Sequence, residues 1–143
     1  MKLPPSVMAL GVVGLLPLFI GPLWRVVSPE AVPAQLDHLW LLYAALIASF
    51  MAGTFWGFAL PAIEGTEGQI GVFIASVLML LTWVAMALPY EPSLYALMGV
   101  FLLLLLADFW RERTLGSIIG YFALRTVLTL GALIALGWRL AQN

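Results

Sequence analysis

Asp108 and Arg125 stand in stretches that are otherwise apolar, and they offer this chain its clearest chemistry. The turn between their two segments centres near residues 116–117, so each residue lies about equally far from it. In an antiparallel helix hairpin that spacing brings the two side chains to one depth. An ionised group inside a membrane is costly unless it is paired or wetted. Two roles follow: a structural ion pair stapling the hairpin, or a proton or anion site lining a small cavity. A transporter would draw on more intramembrane polar groups than this sequence holds, which favours the staple.

The remaining polar residues promise less. Glu30, Asp37 and His38 fall together before an apolar stretch, and Glu64 and Glu67 fall in a glycine-containing connection. A metal or haem site needs convergent ligands at workable spacing. The chain has one histidine and no cysteine, which excludes disulfides, thiolate sites and iron–sulfur clusters. Asp37 and His38 therefore read as interfacial groups capping a helix, and the two glutamates as solvated loop carboxylates; no cofactor and no metal are expected. Ser6, Ser49, Ser76, Ser93 and Ser117 have no histidine beside them, and neither a nucleophile-elbow pattern nor a P-loop is present. An enzyme is not expected. With 6 basic and 7 acidic residues, nucleic acid is excluded as a partner, because its phosphates demand clustered Lys and Arg.

One stretch is unusual in a different way. In residues 40–60, Ala45, Ser49, Gly53 and Gly57 recur every four positions, with Trp56 adjacent and Ala44, Ala48 and Ala52 alongside. Residues four apart share a helix face. Small side chains there let two helix backbones approach, and packing replaces the hydrophobic drive that lipid removes. The stripe is expected to be a contact face, against Gly11 and Gly14 of the first segment or as a groove for another protein, a lipid tail or a quinone. On this reading bulky substitutions at Gly53 or Gly57 harm folding more than those at Leu41 or Leu42.

These residues need elements to hold them. The chain is 64% hydrophobic and 9% charged, whereas a soluble domain is about half apolar and a quarter charged. Lipid is the solvent that fits. About 20 apolar residues cross the hydrocarbon layer, and five segments meet or approach that length: about 6–27, 36–60, 69–88, 94–110 and 115–138. All must be helical, because lipid offers nothing to unpaired backbone groups. The expected fold is all-α, a polytopic bundle of five transmembrane helices forming a single domain over residues 1–143. The first segment is longer than a signal-peptide core and reads as a retained span. Pro17 and Pro22 should bend it. The fourth is the shortest, closed by Arg111, Glu112 and Arg113.

Aromatic residues favour the membrane interfaces. With five alternating spans, Trp24, Trp40, Tyr90, Tyr95 and Trp138 fall at one face and Trp56, Trp110 and Tyr121 near the other. Lys2, Arg111, Arg113 and Arg125 lie on the N-terminal side, against Arg25 and Arg139 opposite. The positive-inside rule then places the N-terminus in the cytoplasm, with a bacterial inner membrane as the expected location.

Three blocks resemble one family. LGVVGLLPLF at the start of the chain, with Gly11, Gly14 and Pro17, is similar to a Leu-Gly-x-x-Gly-Leu-x-Pro-Phe beginning. Residues 43–60 resemble Tyr-Gly-Ala-x-Ile-x-Ser-Phe-x-Gly-Gly-x-x-Trp-Gly, with Ala44 and Ala52 where the pattern often has Gly. In residues 121–129, Leu124 and Arg125 precede an apolar helix. These are marks of the transmembrane protein 69-like family of uncharacterised membrane proteins. The resemblance implies a polytopic helical domain and attaches weight to Trp56, Gly57 and Arg125; it implies no substrate or catalytic residue. The functional expectation is an accessory or assembly subunit packing against a larger, energy-transducing membrane complex. The rival is a small carrier or a lipid- or quinone-binding protein using the Asp108–Arg125 region or the small-residue face. A membrane enzyme stands third.

Overall fold

The computed structural model describes residues 2–116 and 118–142. Ser117, inside the predicted start of the fifth span, lies outside the described residues, as do the two terminal residues. Among the described residues six α-helices build the bundle: α1 Pro5–Val13, α2 Leu16–Val27, α3 Leu36–Ala59, α4 Thr66–Met86, α5 Tyr90–Thr114 and α6 Tyr121–Ala141. Short 3-10 turns follow α2 and α3. Taken with α2, α1 completes a first span, so five helical segments are long and apolar enough to cross a membrane. Large apolar side chains face outward on them, among them Leu46, Phe50, Phe73, Trp83, Leu106 and Ile134. A surface of that kind fits hydrocarbon, not water. The protein is a membrane-integral helix bundle.

The first span breaks at Gly14–Leu15, not merely bends, and Pro17 sits at the start of its second half. Pro22 stands inside α2 and has no N–H to give the Leu18 carbonyl four residues earlier. Trp40 Nε1 donates to that carbonyl at 2.6 Å. At the break, the Leu18 N–H turns to Leu15 O, and the Gly14 carbonyl accepts from the Tyr43 hydroxyl at 2.6 Å. Thus α3 supplies from its side chains the two donors that α2 lacks. Trp40 is only 4% exposed, so it is a core residue and not the interfacial anchor its position suggested. Gly21 makes room for it: a Cβ there would lie 2.7 Å from the indole.

The bounds of two spans moved most. The fourth is not the shortest: α5 runs 25 residues, because the helix already begins at Tyr90 and Arg111, Glu112 and Arg113 continue it. The fifth begins at Tyr121, later than the predicted 115, because Gly116 and Gly120 take positive φ in the connecting turn. That turn also pairs with the start of the chain, Leu3 N–H donating to Ile119 O at 3.1 Å.

The core is narrow and built from small residues. On α4 the buried positions are Gly68, Gly71, Ala75, Leu78, Thr82 and Ala85, a three–four spacing that gives one stripe of a helix. It packs on α3 closely enough that a Cβ at Gly71 would come within 2.7 Å of Ala59. Leu94, Leu97, Phe101 and Leu104 of α5 and Ala132, Ala135 and Leu136 of α6 fill the middle.

Candidate functional site

Asp108 is fully buried on α5 and Arg125 is 3% exposed on α6. Arg125 Nε donates to Asp108 Oδ2 at 2.9 Å. The guanidinium also reaches α3: one terminal nitrogen donates to the Thr54 hydroxyl, and the other donates to Met51 O at 2.9 Å. The Thr54 hydroxyl in turn donates to Met51 O at 2.8 Å. The pair therefore ties three helices, not one hairpin. Asp108 and Arg125 meet as their equal distance from the turn predicts; of their α3 partners only Thr54, being polar, is marked in the sequence.

Arg111 belongs to the same centre, although it reads in the sequence as part of a solvated charge run. It is fully buried, three residues from Asp108 on the same face of α5, with its Nε 3.9 Å from Asp108 Oδ1. Its guanidinium lies 4.5 Å from the Phe58 ring centre and 4.8 Å from that of Tyr121. One terminal nitrogen donates to Glu112 at 3.2 Å and another to Gly116 O at 3.3 Å. The i,i+3 relation to Asp108 was the available signal. The centre holds two guanidiniums and two carboxylates, so its charges cancel.

Between α1, α3 and α6 a groove of about 370 Å³ opens to the surface, lined by Val7, Leu10, Phe50, Met51, Tyr121 and Arg125 among others. Arg125 thus touches both the buried pair and an apolar channel.

The small-residue stripe is placed otherwise than expected. Ala45 is buried, Ser49 is half-buried, and Gly53, Trp56 and Gly57 are exposed. A Cβ at Gly53 or Gly57 would meet nothing within 4 Å. The inner face of α3 is the neighbouring row, Ala44, Ala48, Met51, Ala52, Phe55 and Ala59. Neither the first span's Gly11 nor its Gly14 meets the stripe: Gly11 faces Leu124 and Gly14 lies near Tyr43. The expectation that Gly53 and Gly57 are close-contact positions within the fold is therefore corrected. Of that row, Ser49 and Gly53 line a depression of about 170 Å³ between α3 and α4, shared by Ala52, Trp56, Ala75, Ser76 and Met79; Gly57 lies exposed one turn further along α3.

A second polar cluster closes the opposite end. Asp37, at the start of α3, accepts from Arg25 of α2, and from Arg139 of α6 at 3.1 Å. The Tyr90 hydroxyl of α5 donates to it at 3.3 Å. Asp37 is thus a hub for four helices, which its reading as a helix cap missed. The signal was the placement of Arg25, Arg139 and Tyr90 at that same face. Glu64 and Glu67 are exposed, as are Glu30 and His38.

A family model described as a protein of unknown function (DUF3429) matches residues 3–141. The chain belongs to that family. The match spans both polar clusters and the groove, so every feature of this DUF3429 bundle described above lies within the family's domain. Neither the curated proteins nor the solved structures gave a match.

Proposed function

We propose that the protein is a non-catalytic accessory or assembly subunit that receives a transmembrane helix of another membrane protein in the depression between α3 and α4. The observation that supports this is the outward row Ser49, Gly53 and Gly57, which meets no neighbour at its two glycines. Glycine inside a helix weakens it relative to alanine. Within this fold nothing crowds those two positions. Small residues at four-residue spacing are the surface on which helices in lipid approach one another. Trp56 of α3 and Met79 of α4 both line the depression. The block that most resembles the transmembrane protein 69-like pattern supplies Ser49, Gly53, Trp56 and Gly57, the residues that face outward.

A photo-crosslinking amino acid at position 53, in native membranes, tests the reading. It should give one discrete protein adduct, lost in Gly57→Leu, while the same probe at Phe73 on the lipid side of α4 gives none. The folded yield of Gly57→Leu should equal that of the wild type. A chain that purifies only as a free monomer in several mild detergents, with no adduct from position 53, overturns the proposal.

A further inference from the structure

We propose that the groove between α1, α3 and α6 binds a neutral, membrane-dissolved carbonyl compound of the prenylated quinone class, with a carbonyl oxygen accepting from Arg125. The site is separate from the α3–α4 depression and does not depend on it. Its volume of about 370 Å³ falls in the range of small-molecule pockets, roughly 300–1,000 Å³. Its walls are apolar apart from Thr54, Tyr121 and Arg125. It opens sideways, since Leu10 is 73% and Phe50 69% exposed, so a ligand enters from the bilayer and not from water.

The donor inventory fixes the chemistry. A guanidinium carries five N–H groups. Those of Arg125 reach Asp108, Thr54 and Met51 O. Two N–H groups are left without an acceptor among the described residues. Donors unsatisfied in hydrocarbon are costly, and a ligand oxygen arriving along the groove satisfies them. The charge balance then selects among oxygens. Arg125 is compensated by Asp108, and Arg111 nearby is paired with Glu112. An anionic head group would meet no net positive charge here while losing its hydration. A neutral carbonyl needs only the hydrogen bond. A flat ring also suits the aromatic lining: Tyr121 is held by its stack on Phe58, ring centres 5.7 Å apart, and Phe50 belongs to the same lining.

The test uses the purified full chain in nanodiscs of phosphatidylcholine, with labelled decyl-benzoquinone as probe and decanoate as an anionic comparator of similar tail length. Saturable binding of one quinone per chain, above partition into empty discs, is expected. Leu10→Trp fills the groove from a position exposed in the fold and should weaken binding about tenfold or more. Arg125→Lys keeps the charge opposite Asp108 but not the spare donors, and should weaken it comparably. Phe73→Trp, on another face, should leave it unchanged. If Arg125→Lys does not fold, Leu10→Trp still decides. Absence of saturable binding, binding indifferent to Leu10→Trp, or decanoate binding as tightly as the quinone would each overturn the proposal. Because no partner protein is present, the outcome is independent of the crosslinking experiment.

Discussion

A single proline sets one of the more informative residue-level problems in this bundle. Pro22 leaves the Leu18 carbonyl without its helical donor, and the indole of Trp40 supplies a replacement. Replacing Trp40 by Phe keeps most of the packed ring but removes the N–H. It should cost about 1–3 kcal/mol, the penalty for a buried polar group left unsatisfied, measured as a shift in unfolding midpoint in mixed micelles. The charged centre should respond more strongly. Asp108→Ala strands Arg125 in the interior, while Arg111 keeps its pairing with Glu112, and should cost about 3–5 kcal/mol. Adding Arg125→Leu removes the stranded charge, so the double variant should be more stable than Asp108→Ala alone. A double variant less stable than the single one would mean that Arg125 holds α3 through Thr54 and Met51 whether or not Asp108 is present. The Asp108–Arg125 contact was legible because two rare charges lay symmetrically about a turn. The burial of Arg111 was not, because a run of Arg-Glu-Arg looks solvated, and only the rings of Phe58 and Tyr121 make it otherwise.

At the scale of elements, hydropathy located the spans but could not orient them about their axes. In α4 nearly every residue is apolar, so amphipathic patterning offers no guide. Residue size does: the buried row Gly68, Gly71, Ala75, Leu78, Thr82 and Ala85 is small at every position but Leu78, and the outward Phe73 and Trp83 are large. In lipid the inside of a helix is its smaller side, because packing and not water exclusion draws helices together. The same rule on α3 gave two candidate rows, Ala44–Ala48–Ala52 and Ala45–Ser49–Gly53–Gly57, one residue apart. Both are small, and the fold buries the first. The glycines that do carry close approaches are others: Gly21 against Trp40, Gly68 against the Ala62 carbonyl, Gly71 against Ala59 and Gly131 against Leu15. Alanine at Gly21 or Gly71 should lower stability by about 1–3 kcal/mol, the cost of overpacking. Alanine at Gly53 should be neutral or stabilising, as open space adds no clash and alanine is the better helix former. A thermal-shift series of these three variants checks the ordering, and equal losses at all three would contradict the packing described.

The whole molecule is a bundle fastened at both ends. Asp37 gathers α2, α5 and α6 onto α3 at one end, and the Asp108–Arg125–Arg111 centre ties α3, α5 and α6 toward the other. The two fasteners differ in surroundings: the side chain of Asp37 is 32% exposed, that of Asp108 not at all. The first therefore sits at a wetted interface and the second within the low-dielectric interior. This asymmetry bears on how the chain enters the membrane. Orientation is decided by the Lys and Arg near span ends during insertion, before the final pairs form. Arg111 and Arg125 count then, even though the finished fold buries them. Lys2, Arg111, Arg113 and Arg125 lie toward the end that holds the chain's start, and Arg25 and Arg139 toward the other. The expected insertion leaves the start of the chain and the turn at residues 115–120 in the cytoplasm, and the end of α6 outside. Alkaline phosphatase fused after α6 should be active, and the same enzyme fused at residue 116 should not. Neutralising Arg111 and Arg113 together brings the two sides level and should yield a mixed population. If that double substitution leaves a single orientation, the first span alone sets the topology, and the charges around Asp108 serve the finished fold and not its insertion.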